Sequence, residues 1–508
     1  MNTITPTRDE FLAAVRNGKV IPLHAELDAA AMIPLSALHA LRPLGNPVLL
    51  ESARVNGRTG RYSFVTADPY LIFQSQGDTV DLNWTVAPQG KYGKRASLKR
   101  KPLPKLRELM ANYRTERVAG LPPFMGGAVG YFSYEFVHQF EKLPRAALDD
   151  LKIPEACFLF VDLVVAFDHI SGKAWVIVNP GAREQEMGFR KPEPDQWGRL
   201  YDEASERIRD AVFRLSGKNG DDPGLNRPDA RNTGIRLEPS LSQPRFEAMV
   251  RQCKEYIAAG DIYQANLSQR FSAKIGDRDP LRLYEALRAI NPSPFAVYAE
   301  FDGLTVVSSS PERLVRLSGR VADTRPIAGT RRRGKDLDET RELTAELLTN
   351  EKERAEHIML LDLERNDLGK VCAYGTVAVD ELMVVEDYSH VIHIVSNVRG
   401  ELAQGRDGFD LIRAAFPGGT ITGVPKVRCM EIIDELEPVA RGLYTGSLGY
   451  LANTGDLDLN IIIRTFVIRD GVAYAQTGAG IVADSDPARE HAETLEKAEA
   501  LAKALEKW

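Results

Sequence analysis

Cysteine is scarce in this chain of 508 residues: only Cys157, Cys253, Cys372 and Cys429 are present, far apart and with no C-x-x-C pair. That scatter excludes a disulfide framework or a zinc–cysteine site and reads as reduced, buried thiols in a cytosolic protein. Long apolar runs are missing too. No stretch approaches the roughly 18 apolar residues of a membrane span, so no membrane partner is expected. The opening MNTITPTRDEFLAAVRNGKV is charged early and lacks an apolar core, which reads against a secretory signal. A basic excess is also lacking. Lys and Arg number 65 against 71 Asp and Glu, a net charge of −6, so no nucleic-acid partner is expected. Nor is there a Walker A run, an H-E-x-x-H or a G-x-S-x-G, which leaves a nucleotide hydrolase, a zincin and a serine hydrolase unsupported.

What is present is ordinary for a soluble globular protein, with 44% hydrophobic and 27% charged residues. The length suits about two to four domains or one large interleaved body. Strand-like runs dominate the first part: PVLLESARV, GRYSFVTADPYLIF, DTVDLNWTV, FLFVDLVVAFDH and KAWVIVN. KPLPKLRELMANYRTERV and WGRLYDEASERIRDAVFRLS read as helices. Residues 216–243 are rich in Gly, Pro, Asn and Asp, and read as a linker between an N-terminal region, 1–215, and a second region, 244–508. The second region opens on the helix RFEAMVRQCKEYIAAG, with Gly260 as its stop. Strands such as SQRFSAKI, FAVYAEF, LTVVSSS, HVIHIVSNVRG and LNIIIRTFVIRD follow, and Arg469-Asp470-Gly471 signals a hairpin. Neighbouring strands joined by tight turns favour antiparallel sheets and an α+β class.

Two acidic doublets stand out. Glu353 and Glu356 lie in one helix-like segment, Glu490 and Glu493 in another, each pair three residues apart and so on one helix face. Two such faces can converge on a hard cation with oxygen ligands. Asp486 and Pro487 read as N-cap and first residue of the second helix, whose positive end also favours its glutamates structurally. In PGGTITGVPKVRCMEIIDEL, Lys426 and Arg428 sit at a helix start, where a cation is unfavourable unless an anion is near. Arg464 is a cation inside an apolar, strand-like run and calls for an anionic partner such as a carboxylate. His390 and His393 face opposite sides of a strand, so they do not share a metal; one is placed for proton transfer. GAGIVA, Gly478 to Ala483, formally matches a dinucleotide fingerprint, but only one helix follows it. Its glycines are better explained by close approach of backbone to a ligand or a neighbouring strand.

These runs together resemble the chorismate-utilising enzymes, the large subunits of anthranilate synthase and aminodeoxychorismate synthase. GDIYQANLSQRF, NPSPFAVYAEF, SSSPER, RPIAGT, ERAEHIMLLDLERNDLGKV, YSHVIHIVS, PGGTITGVPKVR, YTGSLGYL, IIIRT and GAGIVADSDP carry the likeness, and LLESARVNGRTGRYSF and PPFMGGAVGYFSYE extend it towards the N-terminus. The resemblance implies an interleaved fold of antiparallel sheets packed face to face with helices outside, and a magnesium-dependent amination of chorismate. It implies that Glu356 and Glu493 hold Mg²⁺, supported by Glu353 and Glu490. Glu312 would be the general acid at the C4 hydroxyl, and His393 matches the family's catalytic histidine. Gln264, Ala328 and Thr330 fall at catalytic positions. Tyr450, Arg464, Gly478, Ala479, Gly480, Thr422 and Lys426 fall at substrate-binding ones. Glutamine at 264, where water-adding relatives carry a lysine base, implies ammonia as nucleophile. No glutaminase segment with a nucleophilic cysteine is found here, so a separate glutamine amidotransferase subunit is the expected ammonia source.

The product is read from finer detail. Ala328 resembles anthranilate synthase, since familiar aminodeoxychorismate synthases have a lysine there. Leu49 to Ser52, LLES, resembles a tryptophan-binding motif, with Leu50, Glu51, Ser52, Pro292 and Phe295 as the implied pocket and tryptophan as its implied occupant. Against these, YQANLSQRF, GGTITG, GSLGY and DLNIIIRT resemble aminodeoxychorismate synthases. The distributed motifs favour 4-amino-4-deoxychorismate, with anthranilate as the alternative.

Overall fold

Two large sheets face one another in the computed structural model, which describes residues 3–28, 32–53, 60–85, 94–184, 195–217, 234–387 and 391–508. Each sheet has 12 strands among the described residues. Their strands pair antiparallel, as the turn-joined runs implied. Apolar side chains from both sheets, among them Phe64, Val129, Leu159, Val164, Val297, Val306 and Ile462, fill the layer between them. The outer face of the first sheet is covered by the helices Arg8–Arg16, Pro34–Leu41, Trp197–Leu215, Pro280–Ile290 and Pro487–Glu506. Helices Pro102–Asn112, Glu351–Gly369 and Gly408–Ala415 pack on the second. Strands covered on both sides, such as Ala156–Val161 and Ser447–Ala452, are buried at every residue and are therefore continuously apolar or small. Thr79–Trp84, nearer an edge, alternates between buried and accessible positions.

Both sheets draw strands from each side of the 216–243 segment. In the first, Val48–Glu51 pairs with Phe295–Phe301; in the second, Gly127–Phe132 pairs with Ser447–Ala452. Residues 218–233 of that segment, and His390, lie outside the described residues. The segment's described end is attached to the first sheet, with Glu238–Pro239 against Ser272 and Phe271.

Several local expectations hold. Gly260 follows the helix Gln243–Ala258 at φ +84°, and Asp470 and Gly471 take φ +50° and +70° in the hairpin turn. All four cysteines are free and buried. Two expectations need correction. The helix read over KPLPKLRELMANYRTERV ends at Asn112, because Tyr113 turns extended and its hydroxyl donates to the Pro180 carbonyl at 2.7 Å. LNIIIRTFVIRD is not one strand: Leu457–Asn460 belongs to the second sheet and Thr465–Arg469 to the first.

A buried ion pair ties this end of the molecule together. The Arg441 guanidinium donates to Glu437 at 2.7 and 2.9 Å, to the Asn266 carbonyl at 2.6 Å and to the Ile421 carbonyl at 3.1 Å. Glu437 also accepts the Ser268 N–H and hydroxyl, each at 2.8 Å. Removing one member strands a buried charge, a loss of about 3–5 kcal/mol. Arg441→Met is therefore expected to lose that much in urea unfolding, and Glu437→Leu added to it to restore part; an unchanged midpoint for the single variant refutes the clamp.

Candidate active site

The site forms where two chain segments leave one sheet for the other. Leu304–Ser310 of the first sheet continues through Pro311 and Glu312 into Arg313–Ser318 of the second. Beside it, residues 461–464 return from the second sheet to the first. The two crossovers are laced together. Ile461 N–H donates to the Glu312 carbonyl at 3.0 Å, the Ser310 hydroxyl to the Ile461 carbonyl at 2.5 Å, and Ser309 N–H to the Arg464 carbonyl at 3.1 Å. Arg464 is thus on a crossover, not inside a strand, and its φ of +51° is a left-handed conformation that costs a residue with a Cβ. Such strain persists where surrounding bonds impose it.

Both crossovers open on a cavity of about 1260 Å³, whose lining includes Gln264, Glu312, Gly329, Glu353, Glu356, His393, Thr420, Tyr444, Arg464, Gly478, Gly480, Glu490, Glu493 and Lys497. Glu312 is buried and accepts the Thr420 hydroxyl at 3.0 Å. Burial pushes its carboxyl up to about 7, against the opposing pull of the Thr420 bond and the charges of Arg464 and Lys497. It is therefore partly protonated near neutrality. His393 is pushed down to about 3, first by burial and then by the Arg464 charge, with a backbone bond to Gly329 opposing. Its imidazole is neutral at physiological pH.

The two acidic helices bring their glutamates to this cavity. Asn350 caps Glu351–Gly369 by accepting Glu353 N–H at 3.1 Å, and Asp486 caps Pro487–Glu506 by accepting Arg489 N–H at 3.0 Å. Capping fixes where each helix begins and hence which face carries its glutamates. Glu356 accepts the Gln264 amide N–H at 2.7 Å, and Glu493 pairs with Lys497 at 2.7 Å. Among the described residues no three His, Cys, Asp or Glu side chains are gathered into a metal site by themselves. The donors are carboxylate oxygens, which suit a hard divalent cation that completes its shell with water or a bound anion.

Gly478 and Gly480 face the cavity from the strand Val472–Ile481, while Ala479 between them packs into the core. A Cβ at 478 would stand 2.7 Å from the Tyr444 hydroxyl, and one at 480 the same distance from the Gln264 amide nitrogen. Glycine here is a matter of close approach, as the sequence suggested. The backbones of Ala328 and Thr330 lie opposite Ile394 and His393 on the strand Ile327–Arg332; their side chains are outside the described ones.

Four expected residues lie elsewhere. Tyr450 is in the layer between the sheets, stacked on Phe124 at 4.7 Å, and lines a different cavity. Tyr444, six residues earlier in YTGSLGY, is the tyrosine at the site. Thr422 is buried and its hydroxyl donates to the Gly418 carbonyl at 2.9 Å; Thr420, on the short turn Gly419–Ile421, reaches Glu312 instead. Lys426 is turned away from the cavity onto Asp367 and the carbonyls of Ala415 and Pro417, which supply the anion its helix position demanded. Pro292 lines the main cavity, not the pocket with Leu50. Lys497 was missed although its signal was present, since it follows Glu493 by four residues on the same helix face.

The other cavity, about 720 Å³, lies across the Glu312–Arg313 crossover and is lined by Leu50, Glu51, Ser52, Phe295, Arg313, Tyr450 and Asp458. Arg313 holds Asp458 through bonds of 2.8 and 3.0 Å with its guanidinium 5.2 Å from the Phe295 ring centre. Glu51 accepts Tyr284 and Arg288 at 2.5 and 2.7 Å.

A family model described as chorismate binding enzyme matches residues 59–503. Anthranilate synthase component 1 of Acetivibrio thermocellus is 40% identical over 504 residues, 99% of this chain and 98% of that one. Aminodeoxychorismate synthase component 1 of Bacillus subtilis is 41% identical over 460 residues, covering 90% and 91%. The crystal structure of anthranilate synthase component I from Streptococcus pneumoniae superposes with a TM-score of 0.74 at 31% identity, covering 88% of this chain and 94% of that one.

Gly480→Ala is expected to push the Gln264 amide off Glu356, lowering turnover about 10²-fold for a displacement near 1 Å. Unaltered circular dichroism with lost turnover supports this; full activity refutes it.

Proposed function

The chain belongs to the chorismate-binding enzyme family, and within it we propose that it aminates chorismate to 4-amino-4-deoxychorismate with ammonia from a separate glutamine amidotransferase subunit. The observation that carries the amination is Gln264. Its amide nitrogen is held by Glu356 at 2.7 Å, and its amide oxygen is buried at the cavity with no hydrogen-bond partner among the described residues. That oxygen can accept an N–H of ammonia. A neutral amide cannot take a proton from water as a lysine amine can. The component 1 names of the relatives fit a separate ammonia-supplying subunit.

Glu353, Glu356, Glu490 and Glu493 would hold Mg²⁺, which when bound supplies positive charge against the substrate's ring carboxylate. Arg464 binds the enolpyruvyl carboxylate, with Tyr444 and the backbone at Gly478 and Gly480 shaping its seat. Glu312 gives its proton to the C4 hydroxyl, so the C4–O bond breaks with release of water. Ammonia supplies the electron pair of the new C–N bond, and the proton it then sheds restores the acid. Net, ammonia and chorismate become aminodeoxychorismate and water. Alanine at 328 offers no amine for a covalent adduct at C2, so the C–N bond at C4 forms without an enzyme adduct.

YQANLSQRF, GGTITG, GSLGY and DLNIIIRT support this product. A second reading, anthranilate with release of pyruvate, is favoured by Ala328, by LLES and by the names of the Acetivibrio and Streptococcus relatives. Incubation with chorismate, Mg²⁺ and ammonium, with and without a lyase that makes 4-aminobenzoate, separates them. Lyase-dependent 4-aminobenzoate is expected; fluorescent anthranilate with pyruvate, formed without the lyase, selects the second reading. Glu312→Gln is expected to lower kcat by about 10²–10⁴. At fixed free ammonia, the wild-type rate falls as pH rises through about 7, where Glu312 loses its proton; a rate that rises there removes Glu312 from the acid's role.

The second cavity is read as a tryptophan pocket. Calorimetry is expected to show tryptophan binding that persists in Glu312→Gln and weakens about tenfold in Phe295→Ala, whose ring supplies about 1 kcal/mol or more of aromatic contact. Binding lost with Glu312 and kept without Phe295 counts against that assignment.

A further inference from the structure

We propose that His357 and Thr494 are positioning residues: each keys one acidic helix to a different sheet and so fixes the rotation that presents its glutamates to the cavity. This rests on the reading of those glutamates as the Mg²⁺ ligands. The helices Glu351–Gly369 and Pro487–Glu506 repeat one arrangement. His357 follows Glu356 by one residue and Glu353 by four; Thr494 follows Glu493 by one and Glu490 by four. At about 100° per residue, each key stands about 40° around its helix from the first glutamate and about 100° from the second. Both keys are completely buried, at 0% exposure, while the four glutamates line the cavity.

Each key bonds to side chains of the sheet behind its helix. The Thr494 hydroxyl accepts the Gln269 amide N–H at 2.7 Å, and the Thr494 carbonyl accepts the Thr477 hydroxyl at 2.7 Å. Gln269 and Thr477 are directly opposed on two strands of the first sheet, Gln264–Lys274 and Val472–Ile481. Those strands also carry Gln264, Gly478 and Gly480. On the other helix, His357 Nε2 lies 2.5 Å from Ser396 Oγ, which also accepts Met383 N–H at 2.9 Å. Ser396 is on the strand Val391–Glu401 of the second sheet, three residues beyond His393 and so on its other face. Leu361 and Leu368 on one helix, and Ala498, Leu501 and Leu505 on the other, add buried apolar contact beside the keys. Apolar burial has no direction and tolerates a small turn of the helix. A hydrogen bond does not, because it weakens steeply off its line. Asp367, bonded to Lys426, holds the far end of its helix, and His357 holds the end with the glutamates. Little room is left there: Glu353 Oε2 is 3.1 Å from where a Cβ on Gly329 would stand, and Glu356 Oε1 is 3.8 Å from one on Gly480.

Calorimetric titration of Mg²⁺ into the full chain tests this without turnover. Thr494→Val keeps the branched shape and removes the hydroxyl. Ser396→Ala removes the partner of His357 without touching the acidic helix. Each is expected to weaken Mg²⁺ binding roughly tenfold or more, and Thr494→Ser to restore the wild-type affinity. His357→Phe added to Ser396→Ala is expected to weaken it no further, since both remove the same bond. A merely structural role predicts a lower urea midpoint with unmoved Mg²⁺ affinity, and that result overturns the proposal. If the wild type binds no Mg²⁺, the metal reading falls, and crystal structures of Thr494→Val and Ser396→Ala decide the keys. Acidic helices turned about their axes support the keying; helices that superpose on the wild type overturn it.

Discussion

Everything at the site depends on one topological constraint: two chain segments change sheets at the same place, and they are hydrogen-bonded to each other as they do. A strand inside a sheet alternates its side chains between two faces, and Gln264 and His393 reach the cavity from such strands. Glu312 and Arg464 reach it from where the chain leaves the ladder. Glu312 sits on one crossover and Arg464 on the other, joined through the Ile461–Glu312 and Ser309–Arg464 backbone bonds. The left-handed backbone of Arg464 is the local strain this sharp return imposes. The buried Arg441–Glu437 pair secures the surroundings, because its bonds reach the Gln264–Lys274 strand, the Thr420 turn and Thr445 beside Tyr444.

Burial sets the charge of two groups in the cavity. Glu312, behind the crossovers, has its carboxyl pushed up to about 7. Glu356 and Glu493, on the two acidic helices, accept from Gln264 and pair with Lys497 in the same volume. His393 follows the same rule in the other direction: burial beside Arg464 keeps it neutral.

Much of this was legible in the linear chain. The antiparallel α+β class followed from turn chemistry. The helix faces of Glu353, Glu356, Glu490 and Glu493 followed from their spacing, and the roles of Gly478 and Gly480 from a glycine pair at a strand end. The errors share one cause. Tyr450 and Tyr444, like Thr422 and Thr420, are the same residue type a few positions apart. Which one faces the cavity depends on where a strand starts or how a short turn is wound. Lys426 was rightly read as needing an anion, yet the anion is Asp367 of a neighbouring helix, which no local pattern names.

By itself, then, the sequence determined the periodicities, caps and turns, the glutamate pairs as single faces, and the family to which those runs belong. These are properties of residues a few positions apart, set by local geometry. The tertiary structure alone decided that LNIIIRTFVIRD is divided between two sheets, that residues before 216 and after 243 share both of them, and that Lys426 finds its anion in Asp367. Those are contacts between segments tens to hundreds of residues apart. They exist only once the two sheets have closed on a common core and the crossovers have nowhere else to run.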